Sequence, residues 1–170
     1  MAQVNQKWDK LLELFFEFPN ESFSVRSLSK KTRIPSSSIQ RYLQMLRKEE
    51  LITYENKANI TLYFKFKKAI HIIDKIYRSN LLDFINRELN PSLIVVFGSV
   101  RKGEYEKESD IDLFVESSID KNLNLEHYER ILGHKIHLLI EKDIGKIQPN
   151  LFKNVVNGIK LGGYLNIERK

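Results

Sequence analysis

The residues best suited to carry chemistry lie between Phe97 and Val115. Phe97, Gly98 and Ser99 are followed, after ten residues rich in charge, by Asp110, Ile111, Asp112, Leu113, Phe114 and Val115. A hydrophobic run from Leu93 to Phe97 leads into the Gly-Ser pair. Glycine lets the backbone turn tightly there and open a helix whose free amides point outward, which suits a phosphate. The second half alternates, with Asp110 and Asp112 on one side and Ile111 and Leu113 on the other, the period of a strand with one buried face. Both carboxylates therefore share a face. Two like charges about 5 Å apart at an effective dielectric near 20 repel by roughly 3 kcal/mol, so the pairing calls for a neighbouring cation. A divalent metal ion answers that need. An ion pair with Arg101 or Lys102, in the mixed-charge loop that continues through Glu104, Glu106, Lys107 and Glu108, would answer it too.

The elements around this stretch can be read from periodicity. From Lys68 to Asn90 the chain is free of Gly and Pro and carries Ile70, Ile73, Ile76 and Tyr77, then Leu81, Leu82, Phe84 and Ile85. This predicts two helices joined near Arg78-Ser79-Asn80, where Ser79 and Asn80 are good caps. Residues 69–80 read as a linker helix, and Leu81–Leu89 as the helix that opens the next module, stopped by Asn90-Pro91 before the strand. Downstream, a helix over Leu123–Leu132, a strand over His134–Ile140 and a helical region over Ile144–Gly158, interrupted near Pro149, are expected.

Upstream, Trp8, Leu11, Leu12, Phe15 and Phe16 have the spacing of an amphipathic helix ended by Pro19-Asn20. Ser24 can cap a second helix from Val25 to about Thr32, and Arg33-Ile34-Pro35 makes a tight turn. Ser37 and Gln40 fit a capping box for a third helix with an apolar stripe of Ile39, Tyr42, Leu43 and Leu46. Arg41, Gln44 and Lys48 then fall on its opposite face. Ile52–Tyr54 and Ile60–Phe64, separated by turn-prone residues, read as a hairpin.

Composition bounds the functions. At 170 residues the chain holds one medium domain or two small ones, and 42% apolar with 29% charged content is ordinary for a soluble globular protein. No apolar run approaches the roughly 18 residues that would span a bilayer, and no secretory signal opens the chain. The absence of cysteine removes disulfides, thiolate metal sites and cysteine nucleophiles, and fits a cytoplasmic setting. Residues 1–68 carry 13 Lys+Arg against 7 Asp+Glu, whereas residues 69–170 carry 15 of each. All seven glycines lie in the second part, so charge and composition change together and point to two modules.

Two resemblances follow from these residues. Helix, helix, short turn, helix and hairpin, from Lys7 to Phe66, resemble a winged helix-turn-helix domain over residues 1–68. That resemblance implies DNA binding, with Arg41, Gln44, Arg47 and Lys48 toward bases or phosphates, Lys57 at the wing tip, and Lys30 or Lys31 nearby. A solvated helix face is the other reading of these cations. Strand, Gly98-Ser99, a ten-residue gap and Asp110-Ile111-Asp112 resemble the minimal nucleotidyltransferases of the DNA polymerase beta superfamily, over residues 81–170.

The second resemblance implies an α+β fold with a mixed sheet flanked by helices. Asp110 and Asp112 would hold Mg2+ or Mn2+. Gly98, Ser99, Arg101 and Lys102 would hold the phosphates of ATP or another nucleoside triphosphate. The expected reaction is transfer of AMP to a protein or small-molecule hydroxyl. Some members of that family are antitoxins that modify a partner toxin, so DNA, such a protein and a second copy in a homodimer are the candidate partners. One position departs from the family pattern, because His137, a further candidate metal ligand, stands where a third carboxylate is expected. Histidine suits softer metals, so the alternative function is a DNA-binding regulator or antitoxin with a weakened transferase fold. Glu141, on the same strand face, lies about 13 Å further along. His71, His127 and His134 have no metal-site spacing and read as structural or surface residues.

Overall fold

The computed structural model describes residues 2–166, with side chains from residue 7 onward. The chain divides by packing into two units, Met1–Lys67 and Lys68–Lys170. Among the described residues, no helix is long and apolar enough to cross a membrane.

The first unit begins with helix α1 (Ala2–Glu17), followed by α2 (Val25–Thr32) and α3 (Ser36–Lys48). Ser24 caps α2, its side chain accepting from Ser27 N, and Arg33 closes the helix in the left-handed region at φ 60°. The expected capping box on α3 does not form. The helix starts at Ser36 with Pro35 in the cap position and no side-chain bond, because proline presets the entry φ without a hydroxyl. Leu11, Phe15, Phe16, Leu28, Ile39, Leu43 and Leu46 are fully buried together. Each such side chain contributes about 1.5–3 kcal/mol through burial, which explains why three short helices hold one another.

The expected hairpin is only partly present. Ile52 and Ala58 form an isolated antiparallel bridge, and the turn between them is closed by Thr53 N donating to Lys57 O at 2.8 Å. The second strand expected over Ile60–Phe64 is absent, since helix α4 (Leu62–Arg78) begins within it. Thr61 accounts for the difference: its hydroxyl accepts from Phe64 N at 3.1 Å and starts the helix. Residue 67 to 68, where the two units divide, falls inside α4.

The second unit continues with α5 (Leu81–Leu89), β1 (Leu93–Val96), α6 (Gly98–Lys102), β2 (Ile111–Glu116), α7 (Glu126–Leu132) and β3 (Ile136–Glu141). A short 3-10 turn (Ile144–Lys146), α8 (Pro149–Val156) and β4 (Ile159–Gly163) follow. The four strands form one sheet in the order β3-β2-β1-β4. β1 runs antiparallel to both β2 and β4, while β2 and β3 are parallel, so the sheet is mixed. β4 was not expected, and α7 starts at Glu126 rather than Leu123.

All four residues of β1 are buried, so this strand has cores on both faces. On one face Ile94, Val96, Ile111, Leu113 and Val115 pack with Ile76, Leu82 and Ile85. On the other, Leu93, Val95, Phe97 and Phe114 pack with Ile144 and Val155. Asp112 has the parity of Phe114 and so belongs to this second face, at the end of β2 next to α6.

Candidate active site

The site is built where β1 runs out. Phe97 N donates to Asp112 O at 3.1 Å, and this last rung of the β1–β2 pairing sets Gly98 beside the Asp112 side chain. Gly98 sits at φ 66°, a region that side-chain-bearing residues avoid. A Cβ there would stand 3.2 Å from Asp112 Cγ and overlap its Oδ2. Both the turn and the close approach therefore require glycine. The five residues of α6 follow at once, with no side chain capping the first turn, and Gly103 ends them at φ 65°.

On its other side Asp112 meets β3. The parallel register sets Asp112 opposite His137, and His137 Nδ1 lies 3.1 Å from Asp112 Oδ1. Asp112 is thus held between a glycine and an imidazole. Its partner is His137 rather than Arg101 or Lys102, which both lie exposed in the last turn of α6. Ser99 is half-buried, and its carbonyl accepts from Glu104 N at 2.9 Å, so its backbone is tied into the loop that leads to Asp110.

Asp110 is exposed, with the buried Ile111 between it and Asp112. It lines an open cleft of about 540 Å³ together with Lys107, Ser109, Glu129, His134 and Lys135. His134 is buried against Tyr105, ring centroids 5.4 Å apart, and donates through Nδ1 to Ser109 O at 2.9 Å. It holds the backbone immediately before Asp110. Tyr105 is fixed in turn by its hydroxyl, which donates to Lys68 O at 3.2 Å, and by the Lys68 ammonium 4.7 Å from its ring centroid.

Across the cleft Glu129 accepts from Lys135 Nζ at 2.7 Å and from Ile136 N at 3.1 Å. The lysine bond, then the backbone bond, hold the Glu129 carboxyl below its ordinary range. The same bond raises Lys135, and the charge of Asp110 adds a smaller contribution. No pattern in the sequence singled out Glu129 or Lys135, whose roles depend on α7 and β3 meeting.

Among the described residues, no three His, Asp or Glu side chains converge closely enough to enclose a metal ion. Asp110 and Asp112 nonetheless have the chemistry of a magnesium site, because Mg2+ is commonly held by one or two carboxylates with substrate phosphates and water completing its shell. Glu141 pairs with Glu116 at the far end of β2, so it cannot join them.

In the first unit, Arg41, Gln44 and Lys48 are exposed on α3, Arg41 with its guanidinium 5.4 Å from the Tyr42 ring centroid. Arg47 is half-buried and donates to Asn56 Oδ1 at 2.5 Å, while Asn56 Nδ2 donates to Phe23 O at 3.0 Å. Arg47 thereby ties α3 to the turn that carries the half-buried Lys57. Lys30 and Lys31 are exposed in the last turn of α2.

No curated protein and no solved structure gives a significant match to the chain. Residues 78–161 match the family model of the nucleotidyltransferase domain; the match takes in β1, α6, β2 and β3, fits the mixed four-stranded sheet, and supports nucleotidyl transfer as the general function of this part of the chain.

Proposed function

We propose that the second unit transfers a nucleotidyl group, AMP from ATP in the first instance, to a hydroxyl on a protein or small molecule. The observation that carries this reading is the setting of Asp112, fixed at a strand end between Gly98 and His137 within the matched segment. In the proposed site Gly98 and Ser99 receive the β and γ phosphates through backbone amides. Arg101 and Lys102, exposed one turn on, balance phosphate charge. Asp110 and Asp112 hold Mg2+ or Mn2+, which when bound lowers the pKa of the attacking hydroxyl and neutralises the leaving pyrophosphate. The acceptor oxygen bonds to the α-phosphorus as the bond to the β-phosphate oxygen breaks, and the acceptor proton leaves to solvent. Positioning and charge carry most of such a reaction. The test is label transfer from α-labelled ATP with Mg2+ or Mn2+. Asp112→Ala is expected to abolish it, and unchanged transfer would place the site elsewhere.

The first unit is read as a winged helix-turn-helix that binds DNA through α3. Exposure of Arg41, Gln44 and Lys48 along one helix face, in the part of the chain that holds all the excess positive charge, supports this reading. Such a fusion suits a protein that regulates its own expression, with a toxin as the acceptor. A second reading is favoured by His137. An imidazole in place of a third acid supplies less negative charge to a magnesium site, which fits a regulator or antitoxin whose transferase fold binds nucleotide without efficient turnover.

A further inference from the structure

The imidazole opposite Asp112 bears on which cation the site selects. We infer that His137 Nδ1 is a metal ligand alongside Asp112 Oδ1, and that it turns the site from Mg2+ toward a first-row transition-metal dication such as Mn2+ or Co2+. This rests on the metal-dependent reading above and goes beyond it by naming the atom and the ion class.

Three features carry it. First, Nδ1 and Oδ1 are 3.1 Å apart. Adjacent donors of an octahedral ion with bonds of ~2.1 Å stand ~3.0 Å apart, so both atoms reach one ion without movement of either strand. Second, the pair is held from both sides. The β2–β3 register fixes the two backbones, and Asp112 Oδ2 is turned against Gly98, which leaves Oδ1 to face the ring. Third, the pair is open to solvent: the His137 side chain is 57% exposed, so a hydrated dication can approach Nδ1 and Oδ1 from outside. Imidazole nitrogen favours transition metals, whereas Mg2+ favours oxygen.

The test uses the full chain, uniformly 15N-labelled, with Mn2+ and an unlabelled non-hydrolysable ATP analogue. Electron-spin-echo spectra of bound Mn2+ should show 15N coupling in the unsubstituted protein and none in His137→Ala or His137→Asp. Mg2+ should displace Mn2+ about tenfold better from His137→Asp than from the unsubstituted protein. Mn2+ that is held through Asp112 without 15N coupling, or with coupling that survives both substitutions, overturns the inference and leaves metal-dependent transfer standing. Mn2+ that is not held, or is held equally by Asp112→Ala, overturns both.

Discussion

A methyl group on Gly98 would have to displace Asp112 Oδ2, and the residue carrying it would have to hold φ at 66°. The second demand alone costs a side-chain-bearing residue about 1–2 kcal/mol. The first moves a carboxylate by a sizeable part of an ångström, and misplacement of about 1 Å at a reacting centre can lower a rate about 100-fold. Gly98→Ala is therefore expected to lower label transfer about 100-fold while thermal unfolding shows a folded protein. Transfer within twofold of the parent would mean that Asp112 is not held as the reaction needs it. His137 acts on the same carboxylate from the other side. If the missing acid limits a magnesium-supported reaction, His137→Asp should raise transfer in Mg2+ about tenfold. An unchanged rate in Mg2+ would show that the imidazole is not what restrains the site.

At the scale of elements, the pairing of β2 with β3 brings Asp112 and His137 together, and Glu129 on α7 helps to fix where β3 starts. It accepts from Ile136 N, the first amide of that strand, and from Lys135 Nζ. Because these bonds lower its pKa below the ordinary 4.5, the stability it contributes is present above that value and fades as the pH falls through the lower, folded one. Glu129→Gln should cost about 1 kcal/mol near neutral pH, since the amide keeps an acceptor but loses the charge and Lys135 is exposed. Denaturant unfolding should show that gap closing as the pH falls below the ordinary carboxyl value and through the lower, folded one, where the parent carboxylate protonates too. A gap independent of pH would assign the effect to shape rather than charge.

What could be read from the chain divides along the same line. Periodicity located α5 and β2 because their partners fix only which face is buried, whereas a cap and a turn bounded α2 and a continuous apolar run marked β1. Of the residues in the Gly98-Ser99 to Asp110-Ile111-Asp112 spacing, the fold brings Gly98 against Asp112, and the β2–β3 register sets His137, the residue at the third-acid position of the family pattern, opposite Asp112. β4 was missed because Ile159-Lys160-Leu161-Gly162-Gly163 ends in two glycines and gains its strand character only by pairing with the buried β1. The start of α4 was read as strand because Ile60, Thr61 and Tyr63 favour one in isolation, whereas the Thr61 hydroxyl caps a helix. Arg47 looked like its exposed neighbours Gln44 and Lys48. Its bond to Asn56 exists only once the turn after α3 has folded back.

At the scale of the whole molecule, charge separates what composition would average. The net +6 of the chain resides entirely in residues 1–68, so a polyanion should meet that part, whatever the second unit binds. On this reading the cations of α3 are not equivalent. Lys48 is exposed at the helix end and fits a phosphate contact, so Lys48→Ala should weaken binding to all duplex sequences alike and reduce the slope of log affinity against log salt by about 1. Arg41 is exposed in the second turn of α3, where a base edge is within reach, so Arg41→Ala should cost about 1–3 kcal/mol on a preferred sequence and little on others. Arg47→Ala should instead lower the unfolding temperature, since it removes the bond that holds the Asn56 side chain, whose Nδ2 donates to Phe23 O. Fluorescence anisotropy across salt concentrations, with thermal unfolding on the same three variants, separates these outcomes. Binding that ignores salt, or that is lost only in proportion to stability, would turn the exposed face of α3 toward a protein partner.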